Sequence, residues 1–175
     1  MHSNDSVHYF AGYLTPAARL VLATDAGHPY ETLVCEQGRE PAYDLLKRVK
    51  DVVSGAKDHQ ADRAALAGLW LWHDFLDKSH TISQAIETPE GSWWHAIMHR
   101  REGDFSNAKY WYRRVGQHAL MEQIAVEAGG EWEPMAFVDQ CEQAHRSGKG
   151  VEEAVALQKL EWRALFRWCV ELARG

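Results

Sequence analysis

Helix punctuation constrains this chain more than any other feature. Thr15-Pro16, Thr88-Pro89 and Pro134 each place proline where a helix begins, and Thr15 and Thr88 stand at the capping position before it. Ser54-Gly55, Gly103, Gly116, Gly129-Gly130 and Ser147-Gly148 supply matching stops. Between these marks apolar residues recur at helical spacing, as in Leu45, Leu46, Val49, Val52 and Val53, or Phe137, Val138, Cys141 and Ala144. No stretch alternates with period two for long, and no two-residue hairpin signal joins such stretches. The fold class expected is all-α: a single helical bundle over residues 1–175, with seven to nine helices and residues 1–12 its most loosely ordered part.

The expected helices run from Pro16 to about Thr24, from Pro41 to about Val53, and from Ala61 to Lys78. Others span Pro89 to Glu102, Phe105 to Val115, His118 to Ala128, Pro134 to about Arg146, and Val151 to Ala173. The helix over 61–78 carries apolar residues on more than one face and reads as central. Ser79 to Glu87 reads as a polar connector.

Length and composition exclude several classes. At 175 residues the chain suits one domain with a sizeable core, and eight tryptophans predict a core or pocket rich in indole. A net charge of −6 argues against nucleic acid as a partner. The first ten residues lack the pattern of a signal peptide, and the longest apolar run, Ala64 to Trp72, is about half a membrane span, so a cytoplasmic protein without membrane contact is expected. Cys35, Cys141 and Cys169 form no CxxC, which suggests neither a disulfide framework nor a zinc knuckle. Ser147-Gly148-Lys149-Gly150 lacks the hydroxyl and glycine spacing of a phosphate loop.

The densest chemistry lies between Trp93 and His118. His95 and His99 are four residues apart, so both project from one helix face and can share a metal ion. The intervening Ala96, Ile97 and Met98 rule out the metalloprotease motif, which needs a glutamate after the first histidine. With ten histidines in the chain such a spacing arises readily by chance, so buried structural histidines are the competing reading. His80 and Glu87 on the connector could complete the site. Three histidines and a carboxylate would suit a divalent metal such as Zn, Fe, Ni or Mn, with His80, His95 and His99 as catalytic candidates. The competing reading has His80 capping a helix and Glu87 in solvent. His73 and Asp77, also four apart, read as a buried hydrogen-bonded pair.

Arg100, Arg101, Lys109, Arg113 and Arg114 set five bases against Glu102 and Asp104 in this stretch. With Tyr110, Trp111 and Tyr112 interleaved they suggest a site for an anionic small molecule, held by Arg100, Arg101, Arg113 or Arg114, while Glu87 is a ligand-binding candidate on the histidine side. Solvated or salt-bridged side chains are the alternative.

Ala96, Gly103, Asp104, Phe105, Ala108 and Tyr112 fall at the spacing of a helical hairpin that resembles a single tetratricopeptide-like repeat. The resemblance covers about 30 residues and departs from the pattern at His95, His99 and Leu120. It implies an interaction module that docks a peptide or protein. The longer string from Ser79-His80-Thr81-Ile82-Ser83-Gln84 through Glu87-Thr88-Pro89 to His95, His99-Arg100-Arg101 and Asn107-Ala108-Lys109-Tyr110-Trp111 resembles a family of uncharacterised microbial proteins, and implies no activity. Two function classes follow: a histidine-rich pocket for a small molecule or divalent metal, or a helical protein–protein interaction module.

Overall fold

A computed structural model describes residues 12–24, 30–35 and 40–175. The expectation of loose order over residues 1–12 therefore falls almost wholly outside the described residues. Among those described there are nine helices and no strand; Leu14 and Val53 make one isolated antiparallel bridge. In chain order the helices are α1 (Pro16–Ala23), α2 (Glu40–Leu46), α3 (His59–Trp72), α4 (Leu76–Ser83), α5 (Pro89–Glu102), α6 (Phe105–Val115), α7 (Ala119–Glu127), α8 (Pro134–Ser147) and α9 (Val151–Arg174). No described helix is long and apolar enough to cross a membrane.

Most ends obey the cap chemistry. Thr15 and Thr88 accept hydrogen bonds from the amides of Ala18 and Gly91, and Asp104 accepts one from Asn107. Gly103 takes the left-handed conformation, φ 88°, that turns the chain from α5 into α6. The hairpin of α5 and α6 is thus built as its turn residues predict.

Two expected elements differ. The helix from Pro41 stops at Leu46, and Val52 and Val53 are buried without being helical. The buried Asp62 carboxylate takes the Val52 amide at 3.1 Å and the Val53 amide at 2.7 Å, which removes their need for a helical ladder. The helix expected over 61–78 breaks at His73, where Asp74 adopts φ 67°. The chain then restarts as α4, so Ser79 to Ser83 is helix and not connector. Its hydroxyls fold back on the helix itself: Thr81 donates to the Asp77 carbonyl at 2.8 Å, and Ser83 to that of His80 at 3.3 Å. The break also undoes the expected His73–Asp77 pair. His73 Nε2 donates to the Val21 carbonyl at 2.9 Å, while Asp77 is exposed.

Helix α5 lies at the centre. Every residue from Glu90 to Arg101 is buried. It packs against α3, α4 and α6, while α9 covers α3, α7 and α8. The close approach of α3 needs Gly68, since a Cβ there would sit 2.7 Å from the Trp94 ring. Trp162 Nε1 donates to the Gly68 carbonyl at 2.9 Å and fixes α9 on the same spot.

A helix buried on all sides has no solvent for its charges, and α5 meets them with partners. Arg100 binds the fully buried Glu161 of α9 at 2.6 Å and donates to Tyr112 Oη at 2.7 Å. Tyr112 in turn donates to Glu161, and Trp93 Nε1 donates to the same carboxylate at 2.9 Å. Arg101 pairs with Asp74 at 2.8 Å and lies 4.0 Å over the Tyr30 ring. At the start of α5, Glu90 accepts from Trp168 Nε1 at 3.0 Å and from His118 Nε2 at 3.2 Å.

Burial would raise the Glu90 pKa, but the hydrogen bonds from His118 and its other donors outweigh it and hold the group at about 2. The unfolded group titrates near 4.5. Its folded pKa is therefore depressed, so its contribution is complete above pH 4.5 and is lost as pH falls towards 2. Glu90→Gln should cost about 3 kcal/mol at neutral pH, and the gap to wild type should close across that window. Urea unfolding of both proteins at stepped pH checks this; a gap independent of pH would refute it.

Candidate metal centre

His95 and His99 arise from consecutive turns of α5, and His80 comes from α4, which packs beside it. One ligand atom from each of the three imidazoles lies within 4.8 Å of the other two. The ring centres stand 4.6 Å apart for His80 and His95, 4.9 Å for His95 and His99, and 5.6 Å for His80 and His99. Three imidazoles on one tetrahedral zinc ion, each with a Zn–N bond of about 2.05 Å, would put their centres about 5.2 Å apart. The observed separations bracket that value. His95 and His99 are buried and His80 is half-buried, so the group opens towards solvent at His80.

The protonation states suit ligation, which requires neutral imidazole. Burial pushes the His95 pKa down to about 3, with the neighbouring His99 and His80 adding to the effect. His99 is also lowered by burial, though Glu102 partly offsets it. His95 Nδ1 is buried with no hydrogen-bond partner. An orphaned ring nitrogen of this kind costs roughly 1–3 kcal/mol unless something occupies it.

Surrounding groups orient the rings. His99 Nδ1 donates to Glu102 Oε2 at 3.0 Å, which leaves the Nε2 lone pair facing inward for an ion. Asn107 Nδ2 lies against the same imidazole, 3.1 Å from Nε2 and 3.4 Å from Nδ1, so it packs on the ring without taking the Nε2 lone pair. Trp111, one turn further along α6, lies flat on His95 with ring centres 3.8 Å apart and planes 13° from parallel. Trp111 thus forms a wall of the histidine site. Asn107 and Trp111 share one face of α6, opposite the His99 and His95 positions of α5. That juxtaposition needs the hairpin register, not the sequence spacing alone.

The remaining expected site residues go elsewhere. Glu87 is exposed ahead of α5 and is not one of the three clustered ligands, because α4 ends at Ser83 and the chain does not fold back over the histidines. Arg100 and Arg101 are not anion ligands at a surface; both are fully buried and tied to Glu161 and Asp74. Lys109 pairs with Asp139. Arg113 is exposed and lines a shallow groove with Gln117, Met121, Glu122 and Trp132. Arg114 is exposed and sits 5.1 Å over the Trp111 ring. Cys141 is buried and its thiol is pushed up to about 11, first by burial, which fits a core residue and not a nucleophile.

Comparison with protein-family models, curated proteins and solved structures gave no match of any kind.

Proposed function

We propose that the protein binds a first-row divalent metal ion, zinc by preference, on His80, His95 and His99, and uses it to hold a small molecule. The observation that carries this reading is the buried, unpartnered Nδ1 of His95 beside two further imidazoles at ligand spacing. Three histidines without a fourth protein ligand favour a working site over a structural one, since structural zinc is usually closed by four protein ligands. Such an ion would supply Lewis acidity towards an oxygen of the bound molecule or of water. Neutral His95 and His99 hold no proton that the ion must displace near pH 7. Glu102 keeps His99 in the tautomer that presents Nε2.

The test is metal content after loading with zinc and dialysis. Wild type should retain one equivalent per chain, and His95→Ala and His99→Ala essentially none. Retention of a full equivalent by His99→Ala, with the fold intact by circular dichroism, would reject the assignment.

The interaction-module reading has weaker support. The large apolar residues most exposed among those described, Leu20, Tyr110, Val126 and Leu172, belong to four different helices, α1, α6, α7 and α9. A docking face for a peptide would gather such residues.

A further inference from the structure

We infer, resting on the metal reading above, that Trp111 is the positioning residue of this centre. It clamps the His95 ring and makes His95 the fixed ligand on which the other two imidazoles converge. Trp111 need not touch the ion to govern how tightly the ion is held.

Three rings hem in His95. Trp111 lies flat on it, with ring centres 3.8 Å apart and planes 13° from parallel. His99 stands at 4.9 Å and 23°, and His80 at 4.6 Å and 85°. Turning the His95 ring out of its plane would drive its edge into the indole. Only a half-turn, which restores the same plane, keeps the contact. The ring is therefore confined before any ion arrives, and a confined ligand loses less freedom on binding. His80 is the opposite case. Its ring is half-buried and rides on an eight-residue helix, so the turning that brings the three nitrogens together falls on His80 more than on His95.

The indole also favours the metal-bound form of His95. An imidazole that gives its lone pair to a divalent ion becomes electron-poor. The electron-rich face of tryptophan attracts such a ring more strongly than it attracts a neutral one. Trp111 can act as a clamp because α6 holds it in turn. Its helix neighbours Ala108 and Tyr112 are buried, and Asp104 caps the start of the helix through the Asn107 amide. Tyr110 stands nearly perpendicular to the indole, at 86°, with ring centres 5.5 Å apart. The competing role for Trp111 is to fill space between α5 and α6, and a ring face is what separates the two roles.

Titration with cobalt(II) provides the test, because the visible bands of the ion report its binding. Wild type would be compared with Trp111→Phe, Trp111→Leu and Trp111→Ala, each checked for helix content by circular dichroism. Phenylalanine keeps a ring face, and leucine fills space without one. A space-filling role would be served equally well by either; a stacking clamp would not. Trp111→Ala should bind cobalt at least about tenfold more weakly than wild type, and Trp111→Phe at least about threefold more tightly than Trp111→Leu. If Trp111→Ala fails to fold, the comparison of Trp111→Phe with Trp111→Leu decides alone. Affinities of those two within about threefold of each other, or a folded Trp111→Ala within about tenfold of wild type, overturn the inference and leave the metal centre standing. A wild type that takes up no cobalt overturns the metal reading, and this inference with it.

Discussion

Glu161→Ala should destabilise the protein by about 3–5 kcal/mol, the range expected when one partner of a buried ion pair is removed. Both side chains of the Arg100–Glu161 pair are fully buried, so the remaining guanidinium would have no water to turn to. The loss extends beyond the pair, because Trp93 Nε1 and Tyr112 Oη also donate to this carboxylate and would be left without it. Against a typical domain stability of 5–15 kcal/mol this is a large fraction. Arg100→Met combined with Glu161→Leu should lose distinctly less than the two single changes together, since no charge then remains stranded. Urea unfolding of wild type, Glu161→Ala, Arg100→Met, Glu161→Leu and the double variant measures it. A Glu161→Ala protein within about 1 kcal/mol of wild type would mean that the network contributes little to stability.

Zinc should raise the thermal unfolding midpoint by about 8–16 °C at a free concentration a thousandfold above its dissociation constant. That follows from about 4 kcal/mol of linked stabilisation and a shift of about 2–4 °C per kcal/mol for a chain of this size. The observed ligand-atom separations reach up to 4.8 Å, and a tetrahedral ion requires about 3.3 Å between nitrogens, so binding must turn the rings until their nitrogens converge. His80→Ala is the informative variant. Its ring is half-buried, so the metal-free protein should melt near wild type, yet the zinc-dependent rise should largely vanish. Melting curves with zinc and then with excess chelator decide it. An equal rise in wild type and His80→Ala would exclude His80 as a ligand.

The start and stop residues made most of the helices legible in the sequence. They failed where polar side chains replaced backbone partners. Asp62 captures the amides of Val52 and Val53, and no local pattern announces a carboxylate reaching back nine and ten residues. Helix α4 was hidden because its serines and threonine read as loop residues, although two of their hydroxyls bond within the helix. The one-turn spacing of His95 and His99 was legible. The closing in of His80 was an expectation only, and it depended on a helix where a connector was anticipated. The arginines misled for a physical reason: charge in a sequence suggests solvent, and α5 has none. The available clue lay in α9, where Glu161 interrupts the apolar stripe formed by Ala154, Leu165 and Cys169. A carboxylate at such a position calls for a buried cation.

The uneven setting of the three histidines bears on exchange kinetics. His95 and His99 ride on a helix enclosed on every side, whose opening requires much of the bundle to open with it. His80 rides on an eight-residue helix that begins at a break and has several exposed side chains. Fluctuations of α4 can therefore detach one ligand while the other two stay in place. Loss of an ion held in this way would begin with fraying of α4, which frees His80 while His95 and His99 still hold the ion, and would not need global unfolding to start. His80 would then be the first ligand released, and the grip on the ion would loosen from the α4 side before the rest of the bundle opens.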